Sequence, residues 1–570
     1  MKPITDLPPE IITQIAECVH PGDVANFARA NRLFFTCAEQ RLEYCQRKAG
    51  ELHYIHDREP LRLLQLLRSF LQEPELAFFV RRYEIWATRK DASDWTWNAL
   101  GFGGRDWGTN GRDRPSEPDF DYAERVRNDN MLDTNELEIY EAFLIDDLGV
   151  KPKEACRWMK RLRKKGDDQV IKVILMALCP RLNTIVWINN RNWDGRFNPF
   201  ELLDLCIRGV HAKHKDQPWP HFQSVRQVVT GVSHEGIWTR GCWYHPTWHE
   251  NASLFLLPSV ETLRFDMTNH HNVGGTYEWE WPDSKSNVNN LVFDANADGD
   301  TKTFHSLLSG IGRLETIEGF NWRVSKDDFV ASLVEYQSDS LRGLDLSSMH
   351  VMTMSTTEGL SKLSQLKALQ HIHFDVNDLI RGVPFVNDPI TDAWADDRSS
   401  EPVRLRLKDV LPQTIESVRI SSKVRRAISS ESQSFLGMLK EFVRAKHDGA
   451  FSELRHLCLA SLHSEQPTAR PQEMVRLWNA NGISAELMLL QSVCAQTGVE
   501  CHTWSASGRQ SDTCQLCERK PNDFDIAPVL GYEDSSMHGP GFSWTASDGR
   551  CSCRARRDYT RICDVCRRRR

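Results

Sequence analysis

The sequence predicts an α/β repeat fold. A three-helix unit opens the chain, an irregular solenoid of strand–helix units follows, and a cysteine- and arginine-rich tail without a core closes it. Three observations lead there. Residues 6–44 carry three short apolar periodicities separated by turn signals. A six-residue pattern, apolar-x-x-apolar-x-apolar, returns ten times along the chain with helical stretches between copies. Beyond about Thr503 that periodicity stops while cysteine and arginine rise together.

Composition sets the outer limits. A chain of 570 residues has room for three or four average domains, or for one elongated repeat domain. Its 40% hydrophobic content supports a packed core. A net charge of −7 and a pI near 6.3 supply no chain-wide field for nucleic acid, which is not expected as a partner. No apolar run approaches a membrane span, and the N-terminus has neither a basic start nor an apolar signal core, so the expected setting is cytoplasmic or nuclear, with no membrane partner. Of 16 cysteines, those at 18, 37, 45, 156, 179, 206, 242 and 458 are irregularly spaced and read as reduced, mostly buried small side chains. The other eight crowd between Cys494 and Cys566.

In the opening unit, Leu7-Pro8-Pro9-Glu10 starts a helix. Proline at an opening position loses an N–H that has no partner anyway, and the acid sits at the positive end of the dipole. Ile11, Ile15 and Val19 recur every four residues, flanked by Ile12 and Ala16, and give one apolar face. Pro21-Gly22 stops this helix, Asp23 is expected to cap the next, with Val24 and Phe27, and Leu33-Phe34 opens a third running towards Leu42. About forty residues cannot bury enough surface to stand alone, so these faces need a partner.

In order and spacing, Leu7-Pro8-x-Glu10-Ile11, Ile15, Pro21-x-Asp23-Val24, Phe27 and Arg32-x-Phe34 resemble the F-box, here placed at 1–48. The resemblance implies docking onto a Skp-type adaptor, and through it a cullin, within a Skp–cullin–F-box ubiquitin ligase. It implies that Leu7, Pro8, Glu10, Ile11, Ile15, Val19, Asp23, Val24, Phe27 and Leu33 form or shape the docking face. The alternative is a plain helical cap on a larger domain.

Residues 49–90 read as a helical linker and first repeat strand: a leucine-dense helix over Pro60–Leu71, with Leu61, Leu64, Leu67 and Leu71 on one face, a restart at Pro74-Glu75-Leu76-Ala77, and a strand at Val80-x-x-Tyr83-x-Ile85. Residues 91–136, dense in Gly, Trp, Asn and charge, read as an exposed polar loop. A helical run over Leu137–Leu178 would pack behind the first full repeats of a solenoid assigned to 137–465. Its strand pattern recurs around Ile185, Leu263, Leu291, Leu344, Ile372, Val418 and Leu457, with weaker copies at Val228 and Ile317. The steps from Leu263 to Ile372 are 28, 26, 27 and 28 residues, inside the range of leucine-rich repeats. Helices over Phe304–Ile311, Asp327–Tyr336 and Thr357–Leu366 fill the gaps, and a polar insertion at 384–402 explains one 46-residue step. Residues 466–502 read as a C-terminal helical cap and 503–570 as a disordered tail. Over 1–465 this organisation resembles the leucine-rich-repeat F-box proteins of filamentous fungi, which implies that the array presents a target protein.

The remaining motifs carry less. Asp294 to Asp300 has calcium-loop spacing, but His305 replaces the bidentate Glu and a strand precedes it, so a capped strand-to-helix turn is expected. Cys242, His245, His249 and Glu250 could ligate zinc, yet Pro246 breaks the helix they need, and a tryptophan-rich contact loop is the better account. Gly101–Gly104 lacks the Lys-Ser/Thr of a phosphate cradle, and Glu278 and Glu280 need be no more than a polar strand edge. No nucleophile elbow or paired-histidine metalloprotease motif occurs, so no enzyme and no cofactor is expected. In the tail, Cys514, Cys517, Cys563 and Cys566 are metal candidates, but 45 residues separate the two pairs where a zinc ribbon has 15–20. Two readings follow: a non-catalytic ligase adaptor, or a repeat scaffold or nucleic-acid-associated protein with a zinc-binding basic tail.

Overall fold

A single open sheet of twelve parallel strands, ordered in space as in sequence, organises the computed structural model. The structure describes residues 4–57, 60–86, 132–188, 200–215, 217–232, 251–266, 285–294, 301–318, 326–347, 357–375, 406–421, 428–459 and 483–502, together with Arg89, Trp95 and Leu379. All lie in one compact unit, Met1–Pro521. The strands are β1 (Tyr54–His56), β2 (Arg82–Ile85), β3 (Thr184–Ile188), β4 (Gln227–Val232), β5 (Thr262–Asp266), β6 (Asn290–Asp294), β7 (Thr316–Glu318), β8 (Gly343–Asp345), β9 (His371–Asp375), β10 (Ser417–Ser421), β11 (His456–Cys458) and β12 (Glu500–His502).

All ten sequence copies fall on consecutive strands, β2 to β11. Their middle apolar residues stand in register, from Tyr83 opposite Ile185 through Leu263 opposite Leu291 and Leu344 opposite Ile372 to Val418 opposite Leu457. These middle residues and those three places earlier, Val80 to Leu454, are buried. Each apolar side chain so buried is worth about 1.5–3 kcal/mol. The chain enters each strand from β2 to β11 by one repeated device: a backbone carbonyl accepts two successive N–H groups from the next turn. Asn183 O takes Arg226 and Gln227 at 2.9 Å each, and Glu416 O takes Arg455 and His456 at 2.8 and 3.1 Å.

Strands β1 and β12 were not expected. Ile55 lies opposite Tyr83 and Cys501 opposite Leu457, so both extend the same row. The pattern hides them: β1 reads Leu52-x-x-Ile55-x-Asp57, with an acid in the third apolar place, and before Cys501 the first place is Gly498.

The helices stand between strands as anticipated, with corrected bounds. They are α1 (Pro9–Cys18), α2 (Val24–Ala30), α3 (Arg32–Leu52), α4 (Pro60–Gln72), α5 (Thr134–Ala142), α6 (Pro152–Lys165), α7 (Gln169–Leu178), α8 (Glu201–Lys213), α9 (Thr301–Ser309), α10 (Lys326–Gln337), α11 (Thr357–Ser361), α12 (Leu407–Val410), α13 (Ile428–His447) and α14 (Ile483–Gln496). In α4 the buried face is Leu63, Leu64, Leu67 and Phe70, with Leu71 half-buried. The run 137–178 is three helices. A π turn over Phe143–Asp147 and Gly149 separate α5 from α6, and Gly166, left-handed at φ 81°, ends α6. The polar stretch 91–136 gives up its last residues to α5, which Asp133 and Glu136 close with a reciprocal capping box. Trp95, inside that stretch, is buried and donates to Gly166 O at 2.6 Å. The described part of the 466–502 cap, residues 483–502, is a helix plus a strand, α14 and β12, so the array runs to His502.

Helix α7 is buried all round, from Gln169 to Ala177, and therefore carries Lys172 into the core. Its ammonium lies 2.9 Å from Asp168 and 3.1 Å from Asp57. Arg89 meets Asp168 at 3.0 Å and donates to Asp57 O at 2.7 Å. Two acids and two bases thus neutralise each other where neither sign could be buried alone. Among the described residues nine cysteines are free thiols; Cys179, Cys206 and Cys458 are buried, whereas Cys18 and Cys156 are exposed, contrary to a mostly buried set. Cys494 and Cys501 belong to the core of the last repeat and not to the tail. No described helix is long and apolar enough to cross a membrane.

Candidate functional site

The N-terminal unit closes on small residues. Ala16 of α1, Ala28 of α2 and Ala38 of α3 meet with Phe27 and Leu42 against them, and Phe27 stacks on Phe34 at 4.8 Å. Alanine at each contact lets the three helices approach closely. This closure uses Ile12, Ala16 and Val24, all buried, and leaves a second set of apolar residues outside. Ile4, Leu7, Ile11 and Phe35 are 44%, 37%, 41% and 54% exposed. Of the residues assigned to the docking face, Leu7, Pro8, Glu10, Ile11 and Asp23 are exposed, Ile15, Val19, Phe27 and Leu33 half-buried, and Val24 buried inside the unit. Ile4 and Phe35 escaped the sequence reading because they lie outside the motif that carried it.

Two local expectations are corrected. Asp23 occupies the N-cap position of α2 without a side-chain bond, because its helical backbone (φ −109°, ψ −10°) keeps the carboxylate from the free N–H groups. Asn31, extended at φ −158°, caps α3 by accepting from Leu33 N at 2.8 Å. Helix α3 also continues ten residues beyond Leu42 and buries Leu52 in the core of the array. The unit is tied there again by Arg41, which donates to Glu75 at 3.1 Å and to Val19 O at 3.3 Å, and by an edge contact of His20 on Phe78 at 4.7 Å. No boundary at residue 48 separates unit from array.

The second surface is the face of the sheet opposite the apolar row. Strand alternation places residues flanking each middle position there. Over β9 to β12 these are His371, His373, Ser417, Arg419, His456, Cys458, Glu500 and His502, half-buried or exposed except for the buried Cys458. His371 meets Ser417 Oγ at 2.8 Å, and burial holds its ring below the usual value against the pull of Glu416, with His456 adding to the effect. Asp345 lies 3.2 Å from His373 and accepts from Ser347 N and Oγ at 2.8 and 2.7 Å. Burial would raise that carboxyl, but the histidine and the two serine donors overcome it and hold it at about 2. At β3 and β4 the same face carries Val186 and Val229, both buried.

The other expected sites mostly fall elsewhere. Residues 101–104, 242–250, 278–281 and 295–300 lie outside the described residues, as do Cys514, Cys517, Cys563 and Cys566 with the whole of 503–570. His305, the residue that spoiled the calcium loop, bonds Tyr336 Oη at 2.6 Å. The strands β11 and β12 bring together His456, Glu500 and His502, which the sequence did not single out because β12 was not seen. The sequence matches no protein-family model and no curated protein at a significant level.

Proposed function

We propose that this chain is the non-catalytic substrate adaptor of a Skp–cullin–F-box ubiquitin ligase. The helices α1 to α3 dock on the Skp-type adaptor, and the array presents a target protein. The observation that carries the reading is the division of apolar residues in the N-terminal unit. Its core is complete with Ile12, Ala16, Val24, Ala28 and Ala38, yet Leu7, Ile11 and Phe35 stay outside. A mere cap on the array would turn such residues towards the array. The continuity of α3 into the core, and the Arg41–Glu75 bridge, would hold the docked complex in a set orientation to the target.

Co-purification of the full chain with a Skp-type adaptor tests this. Replacing Ile11 by Asp removes one apolar contact and inserts a charge, so binding should weaken at least about tenfold while the circular dichroism melt stays unchanged. Undiminished binding by Ile11→Asp, or none by the wild type, would sink the reading.

A further inference from the structure

We propose that His456, Glu500 and His502 bind one divalent transition cation of the zinc class, which clasps the last strand of the sheet to its neighbour. The site is independent of the ligase reading. Strands β11 and β12 run parallel with His456 opposite Glu500 and Cys458 opposite His502. Leu457 and Cys501 belong to the core side, so alternation projects the two imidazoles and the carboxylate together on the other face.

Nδ1 of His456 lies 3.2 Å from one oxygen of Glu500, and Nε2 of His502 lies 3.1 Å from the other. One ligand atom from each residue falls within 4.8 Å of the other two. Metal–nitrogen bonds of 2.0–2.1 Å in tetrahedral geometry put neighbouring ligand atoms about 3.3 Å apart, close to the two nitrogen–oxygen separations. Both ring nitrogens are shielded from solvent, and neither makes a hydrogen bond, despite the short distances to carboxylate oxygen. A pair of simple histidine–glutamate hydrogen bonds would align N–H with oxygen. Nitrogens close to the carboxylate but not aimed at it suit lone pairs converging on a shared ion. Two imidazoles and a carboxylate favour zinc, cobalt or nickel over calcium or magnesium, and three protein ligands leave a coordination position for water. The placement has a structural use. Strand β12 is three residues long and, among the described strands, pairs with β11 alone, so a cross-strand ion fastens this end of the sheet.

The test uses the full chain, stripped of metal and titrated with cobalt(II), then with zinc(II) as competitor. One equivalent of cobalt should bind with visible d–d bands and without a thiolate charge-transfer band, zinc should displace it, and the metal should raise the melting temperature. His456→Ala, His502→Ala and the shape-conserving Glu500→Gln should each weaken cobalt binding at least about tenfold while leaving the metal-free melt unchanged. Wild-type affinity in a His456→Ala/His502→Ala double variant overturns the proposal. So does a cobalt spectrum made up of thiolate species alone, which would assign the metal to cysteines.

Discussion

At the scale of single residues, the sharpest feature is the buried quartet of Asp57, Arg89, Asp168 and Lys172, all at most 1% exposed. Its net worth to the fold is small, since desolvation offsets most of the attraction, but breaking it is another matter. Asp168→Ala takes from Lys172 and from Arg89 the acid nearest to each, so unfolding should become easier by about 3–5 kcal/mol in urea titration. A cost below about 1 kcal/mol would mean that the cluster is hydrated. Lys172 was visible in the sequence as one charge in an otherwise apolar helix. Asp168 is local to it, four residues earlier at the N-cap of the same helix; Asp57 and Arg89 were not legible as partners, because they come from separate turns of the chain.

At the scale of elements, backbone contact decides more than propensity. Gly149, at φ 67°, and Gly209 of α8 meet backbone to backbone. A Cβ on Gly209 would stand 2.3 Å from Leu148 O and 2.9 Å from the Gly149 carbonyl carbon. Neither neighbour is a flexible tip that can swing aside. Gly209→Ala should therefore push α8 off the turn after α5 and cost about 1–3 kcal/mol. Gly437 in α13 has nothing within 4 Å of the same atom, and Gly437→Ala should gain about 0.5–1 kcal/mol. Opposite shifts in the two melting temperatures are expected; equal shifts would refute the contact argument. Both glycines look alike in sequence, each inside a helical run.

At the scale of the whole molecule, every described strand pairs only with its neighbours in sequence. Stability is then nearly a sum of nearest-neighbour terms, and a lesion in the middle should divide the array. Ile317→Ala in β7, on the unbroken row between Leu291 and Leu344, should cost about 2–5 kcal/mol and split denaturation into two phases. A single transition shifted as a whole would show that the cores on either side remain coupled.

Much of the array was legible because burial of a parallel strand demands the same residue types at the same offsets on every turn. Val80-x-x-Tyr83-x-Ile85 and Leu454-x-x-Leu457-x-Leu459 announce β2 and β11 without any knowledge of their partners. The end strands were not legible, because Asp57, buried against Lys172 and Arg89, and Gly498 stand where most other strands carry an apolar residue. The apolar residues of the N-terminal unit divide in the same way. The helical period puts Ile11, Ile15 and Val19, flanked by Ile12 and Ala16, on one apolar face, since a period shows which positions are near one another and not what they touch. Only the packing of α3 against α1 and α2 turned Ile12 and Ala16 inward and left Leu7 and Ile11 outside. The His456–Glu500–His502 cluster is tertiary altogether, for its members lie on two strands and meet through pairing alone.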